Sequence, residues 1–286
     1  MALDTATLER QAPQVQIIGR RKARRWFPSL PELWRSRTIL YYLVVRDIKA
    51  RYAQTVLGAF WTVFQPLAMI GVFTYAFSRF FHDDSLGVPY TLWATAGIAL
   101  WIFVSRSVMQ GAGSLVGNVP FLTRTAVQRP LIPISAVCAS CVDLLVGIAL
   151  FLVLSLGYGV YPTWRYLLAP AVVALAFLLV LGLALLLSPL EVRFRDVGRT
   201  LPFVVQLWFF LSPVAYVPPT SGSELARLFL TDLNPAVGLL ESFRWALLGT
   251  AVPTSDLIVT LVFTGAVLLA GTVYFTRSER MLVDEL

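Results

Sequence analysis

The sequence predicts an all-α integral membrane protein with six spanning helices, and three observations predict it. Apolar segments long enough to cross a bilayer recur six times, the first of them, Thr55 to Phe77, without a single charge. Hydrophobic residues make up 57% of the 286 positions and charged residues only 14%, where a soluble domain carries about 25% charged residues. Basic residues, finally, gather on alternate connections between the apolar segments.

The elements follow in order. Residues 1–28 are polar and basic and read as a flexible cytoplasmic tail. They hold no apolar core of the kind a cleavable signal peptide needs, so the first span is expected to act as its own insertion signal. Residues 29–54 read as an amphipathic interfacial helix. Ser29 and Glu32 have capping-box spacing, Ile39 to Val45 is apolar, and Trp34, Tyr41 and Tyr42 suit headgroup depth. Residues 55–275 form the six-helix domain. Its spans run from about Thr55 to Phe77, Tyr90 to Val108, Leu131 to Leu156, Tyr166 to Leu187, Leu201 to Val217, and Leu257 to Phe275. The long connection 218–253 holds apolar patches too short to span and reads as an outer re-entrant hairpin, with Asn234 and Pro235 at its turn or cap. Residues 276–286 form a cytoplasmic tail.

Charge sets the orientation. Eleven Lys and Arg residues precede Thr55, while the opposite side holds only Arg79, Arg165, Arg227 and Arg244. The positive-inside rule then puts both termini in the cytoplasm, which requires an even number of spans.

Several chemistries are excluded or disfavoured. Lys22 and Lys49 are the only lysines and neither follows a glycine-rich loop, so the chain lacks a P-loop and no nucleotide cofactor is expected on it. Cys138 and Cys141 sit one turn apart among small residues, where helix packing is the better reading, and His82 falls on the opposite loop; no metal site is expected. The bases lie beside apolar runs, which suits membrane lipids rather than nucleic acid. Asp143 is the one carboxylate deep in a span. It reads as protonated, or as paired with Arg106 or an interhelical hydroxyl, because such groups are costly in a bilayer. Arg193, Arg195 and Arg199 precede the fifth span and read either as topology-setting charge or as guanidinium forks for phosphate. Trp61, Phe64, Tyr75, Trp208, Phe209 and Tyr216 are channel-lining candidates, since sugar rings stack on aromatic faces.

The ordered set of motifs resembles one family. Arg46 to Tyr52, Thr55 to Gly58, Trp61 and Gln65 to Leu67 resemble the entrance and first helix of ABC-2 type permeases that export O-antigen, capsule and teichoic acid. Gly113 to Asn118 with Leu122 and Thr123, Val192 to Val197, Leu211 to Val214, Leu233 to Pro235 and Ser242 to Gly249 follow in the family's order. An aromatic-Pro-Arg run frequent in the family is replaced by Gln128, Arg129 and Pro130.

The resemblance implies a homodimer of this chain bound to two copies of a separate ATPase, which would carry the ATP and Mg, in a bacterial inner membrane. Residues 112–126 would be the coupling region, with Ser114, Leu115, Asn118, Leu122, Thr123 and Arg124 carrying the contact. Arg193, Arg195 and Arg199 would receive the pyrophosphate of a lipid-linked glycan. Alternative readings are an exporter of a drug or small lipid, and a membrane glycan-lipid transferase.

Overall fold

The computed structural model describes residues 34–53, 60–77, 87–124, 127–216, 232–252 and 254–278. The Ser29–Glu32 capping box, the tails 1–28 and 279–286, the Thr55 to Gly58 motif, His82 and the first part of the outer hairpin lie outside the described residues.

Every described element is helical. The α-helices are α1 (Arg37–Tyr52), α2 (Phe60–Phe77), α3 (Tyr90–Gly117), α4 (Val119–Arg124), α5 (Leu131–Gly157), α6 (Ala169–Arg193), α7 (Asp196–Leu211), α8 (Pro235–Leu248) and α9 (Thr254–Ser278). A short 3-10 turn, Trp164–Leu168, leads into α6. Five of these segments are long and apolar enough to cross a bilayer: α2, α3, α5, α6 with its 3-10 turn, and α9. The fifth expected span, Leu201 to Val217, differs. Helix α7 has 16 residues, starts five residues earlier at Asp196, and stops at Leu211. Its charged first turn belongs to the helix because Asp196 complements the positive end of the helix dipole.

Helix α3 is the central post. Small residues over Ala94 to Ala99 let neighbours approach closely, and almost the whole N-terminal half of the helix is buried. Helices α5 and α6 pack along it, and α2, α7 and α8 cover its remaining sides. Helix α3 also runs nine residues past the expected end at Val108, because Gly111, Ala112 and Ser114 lower the hydropathy while packing well.

Helices α6 and α9 meet backbone to backbone. A β-carbon on Gly271 would lie 2.3 Å from the Gly182 carbonyl oxygen, and one on Gly182 would lie 2.8 Å from Leu268 Cα. Only glycine fits such a crossing.

Helix α1 is bound to the bundle along one face. Leu43, Asp47 and Arg51 are spaced by four and so align. Leu43 is buried in a small apolar cluster with Leu115, Leu131, Ile132, Leu185 and Phe275. Asp47 accepts a hydrogen bond from Ser135 at 2.8 Å. Trp34, Tyr41 and Tyr42 point outward and are exposed. The same cluster joins the last turns of α9 to α1, so the first and last described helices close at the same end of the bundle. The exits of α3 and α6 and the entry of α5 lie there too.

Candidate transport groove and its coupling elements

Between α2 and α7, with α3 as its floor, runs an open groove of about 350 Å3. Its two walls are loosely held. Helix α2 buries only Thr62, Pro66 and Ile70, spaced by four, and turns most of its other residues outward. Helix α7 buries Leu201 and Val205 in the same way.

The expected lining residues divide into two groups. Trp61, Phe64 and Tyr75 are exposed on α2, Tyr75 at 77%. Trp208 and Phe209 turn inward. Trp208 packs edge-on against Trp101 with ring centroids 5.3 Å apart, and its indole N–H donates to Asn234 at 3.0 Å. Phe209 bridges Trp101 at 5.7 Å and Phe73 at 5.8 Å, which joins the two walls at one end of the groove. Tyr216 donates its hydroxyl to the Phe210 carbonyl at 2.8 Å. Phe203, Leu207 and Phe210 carry the exposed face of α7.

At the opposite end of the groove stands Arg106. Its guanidinium donates to Asp143 Oδ1 at 2.6 Å and to Gln65 of α2. Asp143 is 4% exposed and holds a second guanidinium on its other oxygen: Arg51 of α1, at 2.6 Å. Arg51 also donates to Gln110, which accepts from Ser140 as well. One carboxylate therefore ties α1, α3 and α5 together, and Arg106 extends the tie to α2. Arg51 was not expected here, yet the four-residue spacing from Leu43 and Asp47 carried the signal. So did Gln65 and Gln110, polar side chains inside apolar helices.

The candidate coupling region folds as the end of α3 plus α4. Ser114 and Leu115 are buried, Ser114 bonding back to the Gly111 carbonyl at 2.7 Å. Asn118 ends α3. Its side chain donates to the Ser114 carbonyl at 2.8 Å, while its own carbonyl accepts from the N–H groups of Phe121 and Leu122. Phe121 and Leu122 lean on the small apolar cluster, and Thr123 is exposed. Arg124 closes α4, its side chain outside the described residues. The Arg46 guanidinium of α1 lies 5.0 Å over the Phe121 ring, so α1 and α4 form one unit.

Arg193, Arg195 and Arg199 are all exposed around the entry of α7. Arg193 lies over the Phe194 ring at 5.1 Å, and Arg199 is 3.7 Å from the equally exposed Asp196. The structure does not bring them to Arg106. Glu191 lies against Gly198, where a β-carbon would come within 2.6 Å of its carboxylate.

At the far end, Arg244 of α8 is wholly buried. It donates to Glu241 at 2.7 Å and to the carbonyls of Val214 at 2.7 Å and Trp93 at 3.3 Å, and its guanidinium lies 3.4 Å from the Trp93 ring centroid. Burial pulls its pKa down, and Glu241 opposes that shift. Counted by sequence only as one of four basic residues on the less basic side, it is a staple joining α8, α3 and the turn after α7. Asn234 caps α8 by accepting from the Ala236 N–H at 3.1 Å, and Gly249 ends it at φ 77°, a conformation open to glycine.

Comparison with known proteins decides among families with such a groove. Residues 38–248 match the ABC-2 type transporter family. The chain belongs to that family. Among its relatives is the O-antigen export system permease protein RfbA of Myxococcus xanthus, 31% identical over 250 residues, which cover 87% of this chain and 95% of the relative. An O-antigen export system permease protein of Klebsiella pneumoniae is 24% identical over 242 residues, 84% of this chain and 91% of the relative. The polysialic acid transport protein KpsM of Escherichia coli is 23% identical over 257 residues, 85% of this chain and 94% of the relative. In this ABC-2 chain the matched region takes in the groove, α4 and the Arg244 staple, and it begins one residue into α1.

Proposed function

We propose that this chain is the channel-forming permease of an ATP-driven exporter that moves a lipid-linked polysaccharide, of the O-antigen, capsule or teichoic-acid kind, across a bacterial inner membrane. The observation that carries the reading is the near full-length similarity to polysaccharide export permeases. Support comes from two lightly held helices that turn aromatic faces outward beside one groove.

The working unit is a homodimer with two copies of a separate ATPase, which binds ATP and Mg. The outward faces of α2 and α7 suit a lumen shared by two copies, since aromatic planes accept sugar rings. Both termini are cytoplasmic. Helix α7 with the turn through Tyr216 makes a sixth crossing. In favour of this, α6 ends at the basic end of the bundle, while Trp208 of α7 bonds to the cap of α8 at the other. A helix of 16 residues is about 24 Å long, so the turn completes the passage across roughly 30 Å of hydrocarbon. The outer hairpin 218–253 re-enters the outer leaflet, with α8 as its second arm.

Transport runs as follows. The glycan's pyrophosphate meets Arg193, Arg195 and Arg199 at the cytoplasmic entry of α7. Closure of the ATPase on nucleotide pushes the α1–α4 unit, the groove widens, and the polymer slides along the aromatic walls. No covalent step is assigned to this chain.

Disrupting the gene tests the reading. We expect loss of surface glycan and accumulation of its lipid-linked precursor inside the cell. Normal surface glycan together with new drug sensitivity would instead identify a small-molecule exporter.

A further inference from the structure

Two guanidiniums share a single carboxylate beside the groove. Arg51 and Arg106 each hold one oxygen of Asp143 at 2.6 Å. The remaining partners, Gln65, Gln110 and Ser140, are neutral. The nearest other acid on α1, Asp47, is already paired with Arg46 at 2.7 Å. The link between α1 and α2, residues 54–59, contains no acidic residue. The cluster therefore carries one formal positive charge in excess among the described residues. Asp143 itself is sealed, with a side chain only 1% exposed, whereas the Arg106 side chain is 20% exposed and lines the groove.

A surplus cation at membrane depth is costly unless an anion meets it. A guanidinium has five N–H donors, and among the described residues two of those on Arg106 are engaged, by Asp143 and Gln65. Unused donors on a planar fork suit phosphate oxygens better than any other common membrane anion. Gln206 of α7 and Ser105 of α3 face the same groove and supply neutral polar groups.

We propose that Arg106, supported by the Arg51–Asp143 pair, is a phosphate-binding station inside the groove, for the phosphate or diphosphate of a lipid-borne group. It lies deeper than the arginines at the mouth of α7 and separate from them. The proposal rests on the export reading only for the name of the substrate; the charge surplus stands by itself.

Charge logic and simple structural support predict opposite signs for two variants. Arg106→Gln removes the surplus charge. Asp143→Asn doubles it, though both variants break the same ion pair. The full chain is placed in phosphatidylcholine nanodiscs, and binding of farnesyl diphosphate is measured, with farnesol as the control. We expect saturable binding of the diphosphate and none of the alcohol. Arg106→Gln should weaken binding about tenfold, the loss of roughly one charge-assisted hydrogen bond. Arg106→Lys should recover most of it, and Asp143→Asn should bind as tightly as the parent or more tightly. Equal weakening by Arg106→Gln and Asp143→Asn, or equal binding of farnesol and its diphosphate, overturns the station. Where the Asn variant does not fold, the Gln and Lys pair with the farnesol control still decides. Adding phosphatidylglycerol identifies the occupant: unchanged affinity points to the substrate diphosphate, and competition to a phospholipid headgroup at the same station. A failed binding test with intact export in the Arg106→Gln strain removes the station and leaves the export reading standing. Trapped precursor is the separate readout of that reading.

Discussion

Single side chains decide where this membrane domain is rigid. Arg244 is fully enclosed and serves two backbone carbonyls and one carboxylate from three different segments. Replacing it by Met should leave those carbonyls without partners, at roughly 3 kcal/mol or more, and so lower the melting temperature of the detergent-solubilised chain. Glu241→Gln keeps an acceptor in place and should cost much less; an equal loss would show that the ion pair, not the carbonyl bonds, holds the staple. Sequence alone could not distinguish Arg244 from Arg165 or Arg79, because a lone arginine on an outer connection looks the same buried or exposed. A β-carbon on Gly97 would lie 2.2 Å from the Val214 carbonyl oxygen and 2.4 Å from Arg244 Nη2, so Gly97→Ala should be at least as damaging in the same assay. Asp143 was legible as an unusual residue, and Arg106 as one of its candidate partners. The second guanidinium became legible only when α1 was seen to pack Leu43, Asp47 and Arg51 against the bundle.

Elements were legible where one signal dominated. Continuous apolar runs placed α5 and α9 to within about three residues of their described limits, and α2 and α6 to within about six. Boundaries went astray where packing overrode hydropathy, as at the glycine- and serine-rich C-terminal end of α3, or where helix chemistry overrode charge, as in the first turn of α7. The contact between α1 and α4 was invisible because it depends on an arginine lying over a phenylalanine 75 residues away in the sequence, Arg46 and Phe121. It makes a prediction about coupling. In a reconstituted complex with the ATPase, Arg46→Ala should weaken the link by about 1 kcal/mol and lower the export achieved per ATP several-fold, with insertion and basal hydrolysis intact. Unchanged coupling would show that α4 takes its push without α1.

For the whole molecule, the two ends of the described chain share one apolar cluster through Leu43 and Phe275. The first and last described helices thus meet at one end of the bundle, as the proposed topology requires. In a background with Cys138 and Cys141 replaced by Ala, single cysteines at the half-buried Ser36 and the exposed Arg277 should react with a membrane-impermeant thiol reagent only in inverted vesicles. A cysteine at Tyr161, 70% exposed on the connection between α5 and α6, should react only in intact spheroplasts. Labelling of Ser36→Cys and Arg277→Cys from opposite faces would overturn the topology.

The crossing of α6 over α9 has a mechanical consequence. Where a carbonyl oxygen sits against an α-carbon, as at Gly182 and Gly271, there is no cushion of side chains to rearrange, and the two rods cannot slide past each other without losing the contact altogether. That seam acts as a keel. On the proposed function, a conduit that dilates for a bulky cargo would do so by swinging its lightly fastened staves, α2 and α7, while this seam keeps its shape.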